Sequence, residues 1–168
     1  MPLEIRFAQL KDNEAAQWLG REYAQALTSI GFRFEATEVT FDQLLRHYYR
    51  QDERTYNLMY LATNFAAVFD PYYTFHTDDA YQGTLNTSGL KDKKLMDLAA
   101  SLRRTGPKDE QTYTARWLKL MERFSEVLPS LPIYSNSYYD FYANSLMNYR
   151  PQAQWSWASA ILYAYFAG

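Results

Sequence analysis

Ile30-Gly31-Phe32-Arg33-Phe34-Glu35-Ala36-Thr37-Glu38-Val39-Thr40-Phe41-Asp42-Gln43 is the stretch that decides the fold class. Gly31 closes an apolar series at helical spacing, Ala16, Leu19, Tyr23, Ala26, Leu27 and Ile30, as the left-handed residue at a helix end does. Phe32 to Val39 then reads as a strand with Phe32, Phe34 and Ala36 on one face. Thr40-Phe41-Asp42-Gln43 has the form of a capping box and opens a short helix carrying Phe41, Leu44, Leu45 and Tyr48 along one side. Helix, strand and helix thus follow one another with hardly a residue of loop.

The same alternation extends outward. Leu3-Glu4-Ile5-Arg6-Phe7 alternates apolar and polar residues, as a half-buried strand does, and Asp12 or Asn13 is placed to cap the following helix. Downstream, Tyr56 to Thr63 is a nearly continuous apolar run, which predicts a central strand buried on both faces. The order β-α-β-α-β implies an α/β fold with a mostly parallel sheet flanked by helices. Ligands of open α/β sheets gather beyond the carboxyl ends of the strands. The segment after Thr63, namely Asn64-Phe65-Ala66-Ala67-Val68-Phe69-Asp70-Pro71, therefore carries the first candidate site. Asp70-Pro71 itself reads as a helix start, with Asp as cap and Pro in the first turn.

Leu95, Leu98, Ala99 and Leu102 mark a further helix ended by Gly106-Pro107. Tyr113, Trp117, Leu120, Met121, Phe124 and Leu128 mark another, ended by Pro129 and Pro132. Ile133 to Tyr142 reads as extended and Tyr-rich. Tyr138 and Tyr142 would share one face of a strand there and Tyr139 the other, so one face has a groove to line. The stretch from Pro151 to Gly168 is aromatic and without periodicity, which predicts apolar surface left exposed.

Composition narrows the function classes. Seventeen Lys and Arg against 19 Asp and Glu give a net charge of −2, which offers no general field for gathering phosphates and argues against nucleic-acid binding. The absence of Cys removes disulfides, thiolate nucleophiles and Cys-ligated zinc. Aromatic residues make up 18%, with 16 Tyr, a side chain suited to grooves and interfaces as well as cores.

Catalytic patterns are missing: no Gly-rich phosphate loop, no GxSxG and no HExxH. His76 with Asp78 and Asp79 is a metal-ligand candidate, read more simply as a solvated loop. Asn86-Thr87-Ser88 has the spacing of a glycosylation acceptor and the composition of a turn. Lys91-Asp92-Lys93-Lys94 reads as a solvated helix start. The residues thus suggest no enzyme, cofactor or metal.

The order of segments resembles the C-terminal lobe of the family 5 extracellular solute-binding proteins, the oligopeptide, dipeptide and nickel receptors of ABC importers. The resemblance is carried by Ile30-Gly31-Phe32 before a strand and Thr40-Phe41. Tyr56 to Thr63 before Asp70-Pro71 and Phe75 continues it, as do Asn86-Thr87-Ser88-Gly89 before Asp97-Leu98, and Leu128-Pro129-Ser130-Leu131-Pro132-Ile133-Tyr134. It implies a periplasmic-binding-protein-like lobe over residues 1–143, with 144–168 crossing back to a second lobe outside this sequence. A peptide or related small solute would be held between the lobes and passed to ABC permease subunits, with no bond made or broken. The location would be extracytoplasmic, periplasmic or lipid-anchored, with the export signal elsewhere. Thr63, Asn64, Phe65, Ala67, Phe69, Tyr138 and Tyr139 would line this lobe's half of the groove. In the peptide receptors the loop before Asp-Pro often carries Trp and, three residues on, an Asp that pairs with the peptide's ammonium. Asn64 and Ala67 stand at those positions here, so that carboxylate is absent. The rival expectation is a stand-alone α/β domain that binds a protein partner through its Tyr-rich surface.

Overall fold

The computed structural model describes residues 3–63, 70–135, 139–152 and 157–167. It has two compact units: the first holds the described residues up to Ser130, and the second begins at Leu131.

In the first unit, β1 (Glu4–Leu10) leads to α1 (Glu14–Ser29), β2 (Arg33–Val39), α2 (Phe41–Tyr48) and β3 (Leu58–Met59). The fold is α/β, with a three-stranded parallel sheet in the order β2-β1-β3. β1 pairs with β2 along its whole length, from Glu4 opposite Arg33 to Leu10 opposite Val39. Successive side chains of β1 face opposite ways. Phe7 is buried and meets Tyr23 of α1 edge-on at 6.4 Å and Phe34 of β2 at 6.2 Å. Ala8 is buried with Val39 and with Leu44 of α2. Helices therefore cover both faces.

The helix ends follow local chemistry. The Asn13 carboxamide accepts from the Ala16 N–H at 2.8 Å. At the other end of α1, Gly31 has φ +91°, its N–H donates to Thr28, and the Phe32 N–H donates to Leu27, the paired bonds of a Schellman turn. Thr40 and Gln43 form the reciprocal capping box.

The expectation for Tyr56–Thr63 is corrected. Only Leu58 and Met59 form a strand, they pair with β1 alone, and no residue of the run is buried. β1 is the central strand instead. Without a further strand beyond β3 among the described residues, the run has one strand neighbour rather than two. Ala36 is exposed for a like reason, since β2 is the other edge and the α1 cover fades beyond half-buried Phe34.

After residue 70 come α3 (Pro71–Thr74), a single 3₁₀ turn (Asp79–Tyr81), α4 (Lys93–Arg103) and α5 (Glu110–Val127). The pair α4 and α5 builds a second core of Phe75, Leu95, Ala99, Leu102 and Leu120, flanked by Trp117, Met121 and Phe124. Tyr113 stays outside it, exposed and stacked on Trp117 at 6.3 Å. Asp92 caps α4 through the Leu95 N–H at 2.7 Å and pairs with Arg123 of α5, fastening the two helices.

The loop joining α3 to α4 is organised by Asn86, a fully buried polar residue. Its Nδ2 donates to the carbonyls of His76 (3.0 Å) and Leu90 (2.9 Å), and its Oδ1 accepts from the Gly89 N–H (3.0 Å) and the Ser88 hydroxyl (2.9 Å). Burial with all amide hydrogens engaged rules out this residue as a glycan acceptor in the folded chain and makes it a turn-former.

In the second unit, β4 (Leu146–Met147) pairs antiparallel with β5 (Tyr165–Phe166), and α6 (Trp157–Ile161) lies between them in sequence. Ala160 is the buried apolar residue among those described there. Trp157 and Phe166 are exposed, as expected of this tail; Trp155 lies outside the described residues. Ile133–Ser135 and Tyr139–Tyr142 carry no strand ladder, so the alternating-face argument for the Tyr cluster does not apply to them.

Replacing Asn86 with Ala leaves the half-buried Leu90 carbonyl and the Gly89 N–H without partners, while the His76 carbonyl keeps its bond from Gln82 Nε2. At about 1–3 kcal/mol for a buried unsatisfied group, partly relieved by relaxation, the expected loss is about 2–4 kcal/mol. Urea unfolding should show a lower midpoint with an unchanged slope.

Candidate functional site

Strand order β2-β1-β3 makes the chain leave β1 to one side and return for β3 on the other, so the topological switch lies between β1 and β3. At its carboxyl edge stand Lys11–Asn13 after β1 and Tyr60–Thr63 after β3. Thr63 is exposed and belongs to the first unit. Asn64, Phe65, Ala67, Phe69 and Tyr138 lie outside the described residues. Tyr139 belongs to the second unit and is 79% exposed. The Asn13 Oδ1 is engaged in its helix cap.

Asp70 is fully committed. Its Oδ1 accepts from the Tyr72 N–H at 3.0 Å as the cap of α3, and its Oδ2 accepts from Arg103 Nε at 2.6 Å. The Arg103 guanidinium sits 4.4 Å from the ring centres of both Tyr72 and Tyr73, so it is held by a carboxylate and two aromatic faces together. Hydrogen bonding from Arg103, then from the Tyr72 amide, holds the Asp70 carboxyl below the usual carboxylate range. This is the cap that the Asp-Pro pair predicts. Its charge is paired within the fold by Arg103.

The His76 grouping is equally committed. His76 Nδ1 accepts from the Asp78 N–H at 3.1 Å, Asp78 caps the 3₁₀ turn through the Ala80 N–H at 2.9 Å, and Asp79 pairs with Lys91. The imidazole ring packs against Tyr81 at 4.2 Å and Tyr72 at 5.1 Å. No three acidic or His side chains converge among the described residues.

A feature that the sequence reading passed over lies at the opposite, amino end of the strands. Glu4 and Arg6 of β1, Arg50, Arg54, Thr55, Tyr56 and Asn57 from the α2–β3 connection, and Ser88 line an open cleft of about 430 Å³. The Asn57 carboxamide accepts from the Arg6 N–H at 2.7 Å and donates to the Glu4 carbonyl at 3.0 Å, closing the sheet end. Its residues come from three distant stretches.

None of the described helices is long and apolar enough to cross a membrane. Comparison with protein-family models, curated proteins and solved structures gives no match. The likeness to the family 5 receptors therefore rests on the sequence segments alone.

Asp70→Asn keeps a capping oxygen and removes the charge that binds Arg103. The Asp70 carboxyl titrates lower in the folded chain than in the unfolded chain. It therefore stabilises the fold above the ordinary carboxylate range, and that part is lost as pH falls through the folded value. At pH 7 the variant should lose under about 1 kcal/mol, since the pair is partly exposed. Its stability should then fall less steeply than the parent's between about pH 4 and pH 2, read from urea midpoints across that range.

Proposed function

We propose that this chain is one lobe of an extracytoplasmic solute-binding receptor. It closes with a second lobe on a peptide or related small solute and delivers that solute to an ABC permease. The action is groove closure, with no bond made or broken. The observation that carries the reading is the parallel order β2-β1-β3, with the segment from Tyr60 to Thr63 leaving the carboxyl edge beside the switch between β1 and β3. The resemblance puts the ligand loop in the residues that follow Thr63.

A second reading has its own support. Tyr139, Phe141, Trp157, Leu162 and Phe166 are all exposed, and large apolar residues left exposed in one segment are what an interaction face would supply. On that reading the chain is an α/β domain that binds a protein partner without transporting anything.

The two readings separate by calorimetry with a di- to pentapeptide library, run on the 168-residue chain and on a receptor in which it is joined to its second lobe. The receptor reading expects tight binding only by the two-lobed form, because one side of a groove supplies part of the contacts. Tight binding by the 168 residues alone overturns the one-lobe part. No binding by the two-lobed form leaves the interaction reading standing.

Ala67 sharpens the expectation. A buried ammonium without a carboxylate costs several kcal/mol, and Asp70 is occupied by Arg103. The two-lobed receptor should bind a free peptide and its N-acetylated twin with a ratio near one, or favour the blocked form. A tenfold preference for the free amine, about 1.4 kcal/mol, shows that another acid supplies the contact.

A further inference from the structure

In the first unit Arg6, Arg33, Arg46, Arg103 and Arg123 each hold a carboxylate. Arg50 and Arg54, which meet at one cleft, hold none among the described residues. Arg54 is half-buried and donates to four backbone carbonyls, those of His47 (3.4 Å), Tyr48 (2.9 Å), Ser88 (2.8 Å) and Thr87. A guanidinium has five N–H groups, so one remains on Nη1. The Arg50 guanidinium makes a single long hydrogen bond among the described residues, 3.5 Å to Gln82 Oε1.

These two cations are neighbours. Burial lowers the pKa of Arg54, and the positive charge of Arg50 lowers it further, with no carboxylate acting against either. The Arg50 guanidinium lies against the turn at Gly89. Gly89 has φ +75°, and a Cβ there would lie 2.5 Å from the Arg50 Cζ, so the guanidinium lies against a face that a side chain would fill. Tyr56, braced edge-on against His47 at 4.9 Å, forms an aromatic wall. The cleft is lined by Arg6, Arg50 and Arg54 against Glu4 alone, an excess of two positive charges. Its volume exceeds that of a bare ion and falls in the range of small-molecule sites.

We infer that this cleft binds a small organic dianion, a phosphate monoester or a dicarboxylate, gripped by the Arg50 fork in the field of Arg54 and Arg6 with its body against Tyr56. The planar fork of Arg50 suits a bidentate oxyanion. Two negative charges match the local excess, which the chain's overall charge of −2 conceals. The site lies at the amino end of the strands, away from the edge where the receptor reading expects its solute. Failure of either therefore leaves the other in place.

The test is an amide-shift titration of the isotope-labelled 168-residue chain with phenyl phosphate and, separately, with succinate, using chloride at matched ionic strength as reference. Saturable shifts should be confined to Arg50, Arg54 to Asn57, Ser88 and Gly89. The arm that saturates at lower concentration identifies the phosphate or the dicarboxylate source. Arg50→Gln should weaken binding at least tenfold, Arg50→Lys should fall between, and Arg150→Gln, in the other unit, should change nothing. Arg6→Gln is a second test on a separate element, expected to weaken binding severalfold while the amide spectrum stays folded. Absence of saturation below about 10 mM in both arms, shifts reproduced by chloride, or binding by Arg50→Gln within twofold of the parent would overturn the assignment.

Discussion

The guanidinium of Arg54 is the point on which the first unit's architecture turns. Two apolar clusters form in this unit, one where α2 covers the sheet and one around α4 and α5. Arg54 bonds to carbonyls on both sides of their junction: His47 and Tyr48 at the end of α2, and Thr87 and Ser88 in the turn before α4. The last carbonyls of a helix have no partner within it and carry the negative end of its dipole. A cation with several donors in one plane is the side chain best able to satisfy them together with a second set. Charged hydrogen bonds of this kind are about twice as strong as neutral ones.

That junction depends in turn on Asn86. Its carboxamide draws the carbonyls of His76 and Leu90 and the amide of Gly89 onto itself. The turn is thereby closed around a buried amide, and the carbonyls of Thr87 and Ser88 are left to meet Arg54. Arg54→Leu could not substitute at similar volume, because the carbonyls of Tyr48, Thr87 and Ser88 would lose their donor at once, while His47 keeps the Arg50 N–H. The interaction is polar because the groups it joins are backbone, and apolar packing has nothing to offer them.

What was legible in the sequence is what lies within three or four residues of its partner. The Thr40–Gln43 box, Asp70-Pro71 and the Gly31 turn read correctly, and Asn13 is the one of the Asp12/Asn13 pair that caps, because each bonds its own helix; the start at Lys91-Asp92 read only as solvated, whereas Asp92 caps α4 and pairs with Arg123. The Tyr56–Thr63 run misled because an apolar run reports a tendency to be covered and is silent on which neighbours exist. Asn57 also takes over ladder positions beside Glu4 and Arg6 with its side chain, which shortens β3 at its start. The candidate site divides the same way. Asp70 was legible as a cap, whereas Arg103 is 33 positions away and gives no local sign of its pairing. The arginine cleft was illegible because Arg6, Arg50, Arg54 and Ser88 converge only through the sheet end and the Asn86 turn.

The second unit is governed by the opposite circumstance. In Leu131–Gly168 the charged residues are Asp140 and Arg150 alone, among a succession of Tyr, Phe and Trp. A segment of this length without Cys has too little interior to repay the entropy of ordering its chain through burial. The described part accordingly buries Ala160 while Phe141 is 95% exposed. Its local order comes from small polar devices: Asn148, at φ +58°, donates to the Tyr163 carbonyl, and the Ala167 N–H donates to Ser145. Tyr142 and Tyr149 meet edge-on at 4.8 Å, and burial followed by the charge of Asp140 raises the Tyr149 hydroxyl pKa. Covering such a surface removes aromatic area from water while desolvating almost no charge. The free energy of any association through it is consequently hydrophobic in origin and nearly independent of salt. The arginine cleft of the first unit would bind through charge and weaken as salt rises. Two such surfaces on one chain would differ in their response to ionic strength, and the difference would follow from where the charged residues fall in the sequence.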